Sequence, residues 1–142
     1  MRVIKVTICF DGACGYRLGG NLVGLGVVAT SNKFTYEHAE SYQYLGNNMI
    51  AEWMALIRSL ELALLIEAKH GRCYFTIKGD NQAVVYHMKG IYKDVKQDYK
   101  QYANRAEELT NKLRYIQFKW IPREENEEAD LLSKIGRLKW FE

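Results

Sequence analysis

The sequence predicts a mixed α/β domain, a sheet with helices packed on it. Three observations carry that expectation. Strand-like runs cluster in the first 44 residues, and after them helical and strand-like runs alternate. The composition is ordinary globular usage for one domain spanning residues 1–142: hydrophobic residues make up 48% and charged residues 26%, with one Pro and 11 Gly.

The elements follow in order. Residues 3–10, 24–31 and 33–44 read as strands, and their short polar or glycine-rich connections suit hairpins, so these three are expected to pair antiparallel. The run "NNMIAEWMALIRSLELALLIEAKHG" opens on a capping Asn and closes at Gly71. Between them Ile50, Trp53, Ile57, Leu60 and Leu64 recur at helical spacing, which predicts a long helix. Residues 73–78 form a fourth strand and 81–88 a short helix. Residues 94–113 form an amphipathic helix striped by Val95, Tyr99, Tyr102, Ala106, Leu109 and Leu113. A fifth strand at 115–121 is stopped by Pro122, and residues 126–137 form the last helix.

Composition also excludes. No stretch reaches the roughly 20 apolar residues of a membrane span, and residues 1–10 alternate charge with apolar side chains instead of forming a signal-peptide core, which points to the cytoplasm. Cys9, Cys14 and Cys73 lack the spacing of a zinc site and read as reduced, packed thiols, although Cys9 and Cys14 are close enough in sequence to meet across a turn. The net charge is only +3, yet residues 89–123 hold nine basic against four acidic side chains, a locally cationic stretch suited to phosphate. His38, His70 and His87 lie outside every motif and read as structural or surface groups.

The chemistry is carried by carboxylates. Asp11 and Asp80 each follow a short apolar run, at the carboxyl ends of strands where open α/β sheets place ligands. Glu52 shares its helix face with Ala55, Leu56, Ser59, Leu62 and Ala63, a face that otherwise packs. Taken singly, each has a plain structural explanation: an Asp-Gly turn at Asp11, a dipole partner at Glu52, and an N-cap at Asp80. Their grouping has another. Converging carboxylates repel unless cations neutralise them, and oxygen-only donors select hard ions such as Mg²⁺ or Mn²⁺. Two such ions about 4 Å apart suit displacement at phosphorus.

The motifs "FDGAC", "GNNMIAEWMALIRSLELAL", "IKGDNQAVV" and "WIPREENEEADLLS", in that order over nearly the whole chain, resemble the ribonuclease H type 1 family in its compact archaeal and bacterial form. The resemblance implies a five-stranded mixed sheet, three antiparallel strands followed by two parallel ones, flanked by helices. It implies cleavage of the RNA strand of RNA/DNA hybrids with two Mg²⁺ ions, leaving 5′-phosphate and 3′-hydroxyl ends, by a monomer. The catalytic and metal-holding residues carried over are Asp11, Glu52, Asp80 and Asp130. Asp130 comes from the resemblance alone, because its neighbours Asn126, Glu127, Ser133 and Lys134 read as a solvated face. Substrate contacts are expected from the backbone of Gly12, Ala13 and Cys14, from Asn47 and Asn48, and from Asn81 and Gln82 beside Asp80. Lys89, Lys93 and Lys96 are candidates for holding the DNA strand, with Tyr92 stacking on a sugar or base.

The chain also departs from the family pattern. Met49 stands where a second Asn is common, which loosens the expected reading of 2′-hydroxyls and admits double-stranded RNA as a further substrate. "GYRLGGN" lacks the usual Asn-Pro, with Arg17 as a substitute phosphate contact. The loop before Asp130 has no His, only Arg123, Glu124 and Glu125 to assist product release. The competing classes are a non-catalytic hybrid-binding module and a resolvase-like DNA nuclease. All four carboxylates are present, against the first, and the short chain leaves little room for the extra segments of the second.

Overall fold

A computed structural model describes residues 3–17, 20–43 and 47–138. The strands are β1 (Ile4–Arg17), β2 (Gly20–Thr30), β3 (Thr35–Gln43), β4 (Cys73–Gly79) and β5 (Tyr115–Trp120). The helices are α1 (Asn48–His70), α2 (Gln82–Met88), α3 (Lys100–Thr110) and α4 (Glu127–Leu138). The sheet order is β3-β2-β1-β4-β5. β1/β2 and β2/β3 pair antiparallel, β1/β4 and β4/β5 parallel, as the resemblance implied.

Alternation along β1 sends its two sets of side chains to opposite faces. Val6, Ile8 and Phe10 enter the main core with Leu56 and Leu60 of α1 and Phe75 and Ile77 of β4. On the other face α4 lies across β1, β2 and β3. The ends of α1 are set by local chemistry: Asn47 Oδ1 accepts from the Ile50 N–H at 2.9 Å, and Gly71, at φ +94°, donates to the Glu67 carbonyl at 3.0 Å.

Two expected boundaries are corrected. β1 does not end at Phe10, and β2 starts at Gly20 instead of Gly24. The glycine-rich stretch taken as a connection is an extended hairpin in which Gly12 to Gly15 pair with Leu25 to Leu22. Glycines carry no period-2 signal, so pairing imposed by the partner strand was invisible in the pattern. The helix expected over 94–113 is also shorter. A 3-10 turn at Gln97–Tyr99 precedes α3, while Val95 and Tyr99 reach the core from outside the α-helix.

Candidate active site

The parallel pairing of β1 with β4 ends at Cys9↔Lys78, whereas β1 runs on against β2 past Asp11↔Gly26. Asp11 therefore sits where β1 parts from β4, inside a continuous strand, and Asp80 directly follows β4. The divergence opens the gap that the two aspartates share. Glu52, in the second turn of α1, reaches the same gap, and carboxylate oxygens of Asp11, Glu52 and Asp80 lie within 4.8 Å of one another.

Close approach makes this possible. A Cβ on Gly12 would stand 2.2 Å from the Ala51 backbone, so only glycine lets β1 touch α1 there. The Gly12 N–H then donates to Glu52 Oε1 at 2.9 Å. Gly26, opposite Asp11, plays the same part for α4: its Cβ would stand 2.5 Å from the Ala129 carbonyl oxygen and 2.7 Å from the Ser133 nitrogen.

The electrostatics follow from burial. Glu52 is 5% exposed and Asp11 6%. Burial, followed by the neighbouring Asp11 carboxyl, pushes Glu52 well above the usual carboxylate range. Burial also raises Asp11, to about 6, against a lowering contribution from the neighbouring Glu52 carboxyl. For Asp130 burial acts upward too, but the Lys134 ammonium at 3.0 Å, the Asp11 carboxyl and Arg123 outweigh it and hold the group below its ordinary value. Glu52 Oε2 is buried without a hydrogen-bond partner. An orphaned carboxylate oxygen among three converging carboxylates fits a hard divalent cation, which supplies the missing charge and an acceptor for that lone pair.

Asp130 is not one of the three converging groups, but its carboxyl lies close enough to Asp11 for each to perturb the other. The solvated-face reading of its helix is corrected. Glu127 and Lys134 are exposed, whereas Asn126 and Ser133 are 2% and 0% exposed and face the site. Asn126 Nδ2 donates to Asp80 Oδ2 at 3.0 Å and to the Phe10 carbonyl at 2.9 Å. Ser133 Oγ lies 3.5 Å from Asp11 Oδ2 and donates to the Asp130 carbonyl at 2.7 Å. Asn126, Ala129, Ser133 and Gly136 form a stripe of small residues at helical spacing, all buried. That stripe is the signal that would have revealed a helix lying tight on a sheet. Asn126→Ala is expected to cost about 2 kcal/mol in thermal or denaturant unfolding, because the Phe10 carbonyl loses its buried donor. An unchanged midpoint would remove Asn126 from this scaffold.

Asp80 is not an N-cap. Asn81 caps α2, accepting from the Val84 N–H at 3.1 Å, and Trp120 Nε1 donates to the Asp80 carbonyl at 2.9 Å. Of the expected substrate contacts, Asn48 Oδ1 accepts from the Cys14 N–H at 2.8 Å, joining the start of α1 to the first motif. Asn47 is already engaged, capping α1 and donating to the Tyr99 hydroxyl at 3.1 Å. Gln82, Lys89, Lys93 and Lys96 are exposed, and Ala13 is half-buried. The Arg17 side chain lies outside the described residues. Beside the start of α1 runs a groove of about 260 Å³ lined by Met49, Trp53, Tyr92, Val95, Lys96 and Tyr99, among others.

The remaining candidates are structural. Cys9 and Cys73 are free thiols, and burial pushes both up, which keeps them protonated. His38 pairs with Glu40, and His70 bonds the Tyr36 hydroxyl and stacks on Phe34. No helix among the described residues is long and apolar enough to cross a membrane.

The family described as reverse transcriptase-like matches residues 10–136. The bifunctional protein Rv2228c of Mycobacterium tuberculosis is 32% identical over 132 residues, 92% of this chain but 35% of that protein, so the chain spans about a third of its curated relative. The fold is similar to that of LC11-RNase H1 solved in complex with an RNA/DNA hybrid, with a TM-score of 0.83, 28% identity and coverage of 96% and 99% of the two chains. It is also similar to RNase H1 from the halophilic archaeon Halobacterium salinarum, with a TM-score of 0.77, 27% identity and coverage of 93% and 96%. The N-terminal RNase H domain of Rv2228c, solved as a fusion protein, gives a TM-score of 0.78 at 26% identity over 94% of each chain.

Proposed function

Since this chain belongs to the reverse transcriptase-like family, as an enzyme of the type 1 ribonuclease H kind, we propose that it hydrolyses the RNA strand of RNA/DNA hybrids at the carboxylate cluster, leaving 5′-phosphate and 3′-hydroxyl ends. One observation carries the reading: oxygens of Asp11, Glu52 and Asp80 converge within 4.8 Å with Glu52 Oε2 left unpartnered. Bound there, two Mg²⁺ ions, or Mn²⁺ in their place, would neutralise the carboxylates, activate the attacking water and stabilise the leaving oxygen.

Asp11, Glu52, Asp80 and Asp130 are the residues that would hold them. The chain's own groups keep those carboxylates in place. Gly12 fixes Glu52 through its N–H, Asn126 fixes Asp80, and Lys134 favours the ionised form of Asp130. The Asn48–Cys14 bond sets the first motif against the start of α1, where the minor groove of the hybrid would lie, with Gly12, Ala13, Cys14, Asn48, Asn81 and Gln82 as its contacts. The groove beside it would take the uncut strand, with Tyr92 against a sugar or base and Lys89, Lys93 and Lys96 near phosphates. Met49 lines that groove in place of an amide, which supports a side activity on double-stranded RNA. A cytoplasmic, monomeric protein with residues 1–142 as one domain belongs to the same proposal.

The test is cleavage of matched RNA/DNA, RNA/RNA and DNA/DNA duplexes, labelled on each strand, with Mg²⁺ or EDTA, by the wild type and by Asp80→Asn. Cutting of the hybrid's RNA strand is expected, and EDTA and the substitution should each abolish it. Cutting of DNA/DNA instead, or hybrid binding with no cutting, would overturn the proposal.

A further inference from the structure

This inference rests on the reading above and concerns how the groove for the uncut strand is held. Residues 89–96, which carry Tyr92 and three lysines, have no helix or strand of their own. Backbone bonds anchor the segment's start: the N–H groups of Ile91 and Tyr92 donate to the Tyr86 carbonyl at 2.8 and 3.1 Å, and Gly90, at φ +80°, donates to the His87 carbonyl at 2.9 Å.

One side chain then ties it to the rest of the fold. His87 Nδ1 lies 2.9 Å from the Tyr92 carbonyl oxygen, and Nε2 lies 2.8 Å from Glu107 Oε1 on α3. The imidazole also meets Trp53 of α1 edge-on, with ring centroids 5.7 Å apart, and its side chain is 10% exposed. Trp53 and Tyr92 are both walls of the groove. His87 therefore stands behind the groove and touches two of its walls.

Both ring nitrogens face acceptors. A backbone carbonyl has no proton to give, and an ionised carboxylate only accepts. The ring therefore bridges the loop and α3 through its two nitrogens. Among the described residues Glu107 is the one charged group recorded within ion-pair distance of the ring. Trp53 from α1 and the Tyr92 carbonyl from the loop complete its recorded contacts.

We propose that His87, held between Glu107 and the Tyr92 carbonyl, is a positioning residue for the groove. It ties Tyr92 and its neighbouring lysines to α3 and to Trp53 of α1, and its removal leaves the carboxylate centre untouched.

The experiment is steady-state hydrolysis of an RNA/DNA hybrid at saturating Mg²⁺ by the wild type, His87→Ala and Glu107→Gln, with thermal midpoints to confirm folding. His87→Ala should raise KM about 5- to 20-fold, the scale of the hydrogen bonds removed. Its kcat should stay within about twofold of the wild type, a split expected when binding alone is affected. Glu107→Gln should keep KM closer to the wild type than His87→Ala does, because its amide can still bond the ring while Nδ1 still meets the Tyr92 carbonyl. An unaltered KM in a folded His87→Ala, a loss confined to kcat, or a KM in Glu107→Gln above that of His87→Ala would overturn this inference while leaving the nuclease assignment standing. Absence of Mg²⁺-dependent hydrolysis by the wild type would sink both.

Discussion

Asp11→Asn is expected to lower hybrid cleavage by roughly 10³-fold or more, as for a group that acts within a cooperating metal-binding set. The same change should make the metal-free protein more stable at neutral pH. Burial, the largest cause, raises the Asp11 carboxyl from 3.8 to about 6, with Asp80 and Asp130 adding like charge. The folded state thus holds this proton more tightly than the unfolded chain. Below about pH 4 both states are protonated and the carboxyl costs nothing. As pH rises through about 4 to about 6 the unfolded chain ionises first and stability is lost, and above that window the loss is complete, roughly 2–3 kcal/mol. A neutral amide avoids it. Thermal unfolding in EDTA should therefore place Asp11→Asn roughly 6–10 °C above the wild type at pH 7.5, with the gap closing towards pH 4. Mg²⁺ should narrow the gap from the other side, by stabilising the wild type through binding. A variant less stable than the wild type at pH 7.5 would mean that Asp11 supports the fold instead of straining it.

Gly12→Ala should be the most damaging single-methyl change near the site. The added Cβ would stand 2.2 Å from the Ala51 carbonyl carbon and oxygen and 2.6 Å from the Glu52 nitrogen, all backbone atoms that no rotamer change can move. Either β1 or the start of α1 must shift. The expected cost is about 3 kcal/mol in denaturant unfolding, at the upper end of overpacking effects. Glu52 also loses its place, because the Gly12 N–H that holds Oε1 moves with the strand. A displacement of about 1 Å in a catalytic constellation is enough for a roughly 100-fold loss of rate. Cleavage assays on folded protein at low temperature separate the two effects. Near-normal activity there would show that the carboxylates do not depend on this contact.

Much of the molecule was legible in its residues, and the legible parts have local causes. The 3.6-residue period of α1, its Asn47 cap and its closing Gly71 are properties of a short stretch of chain, and they were found where the pattern put them. So were the five strands and the presence of carboxylates after two apolar runs. Glu52 stood out because a charge on a packing face of a helix needs a reason, and the structure buries it on that face.

The parts that could not be read are those in which one element answers to another. That Asp11 lies within β1, at the point where the strand leaves β4, depends on where two pairings end, and glycine-rich pairing leaves no period in the sequence. The roles of Asn126 and Ser133 depend on how closely α4 lies on the sheet. Gly26 on β2, more than 100 residues earlier in the chain, sets that closeness. His87 reads from the sequence only as a structural or surface group, because its partners, Tyr92, Glu107 and Trp53, come from three separate segments. The sequence by itself determined which carboxylates are available to the candidate site and which elements carry them. The tertiary structure decided the distances between them, because backbone approach at a few glycines, a long-range property, brings the carboxylates to one point and buries the polar groups that hold them there.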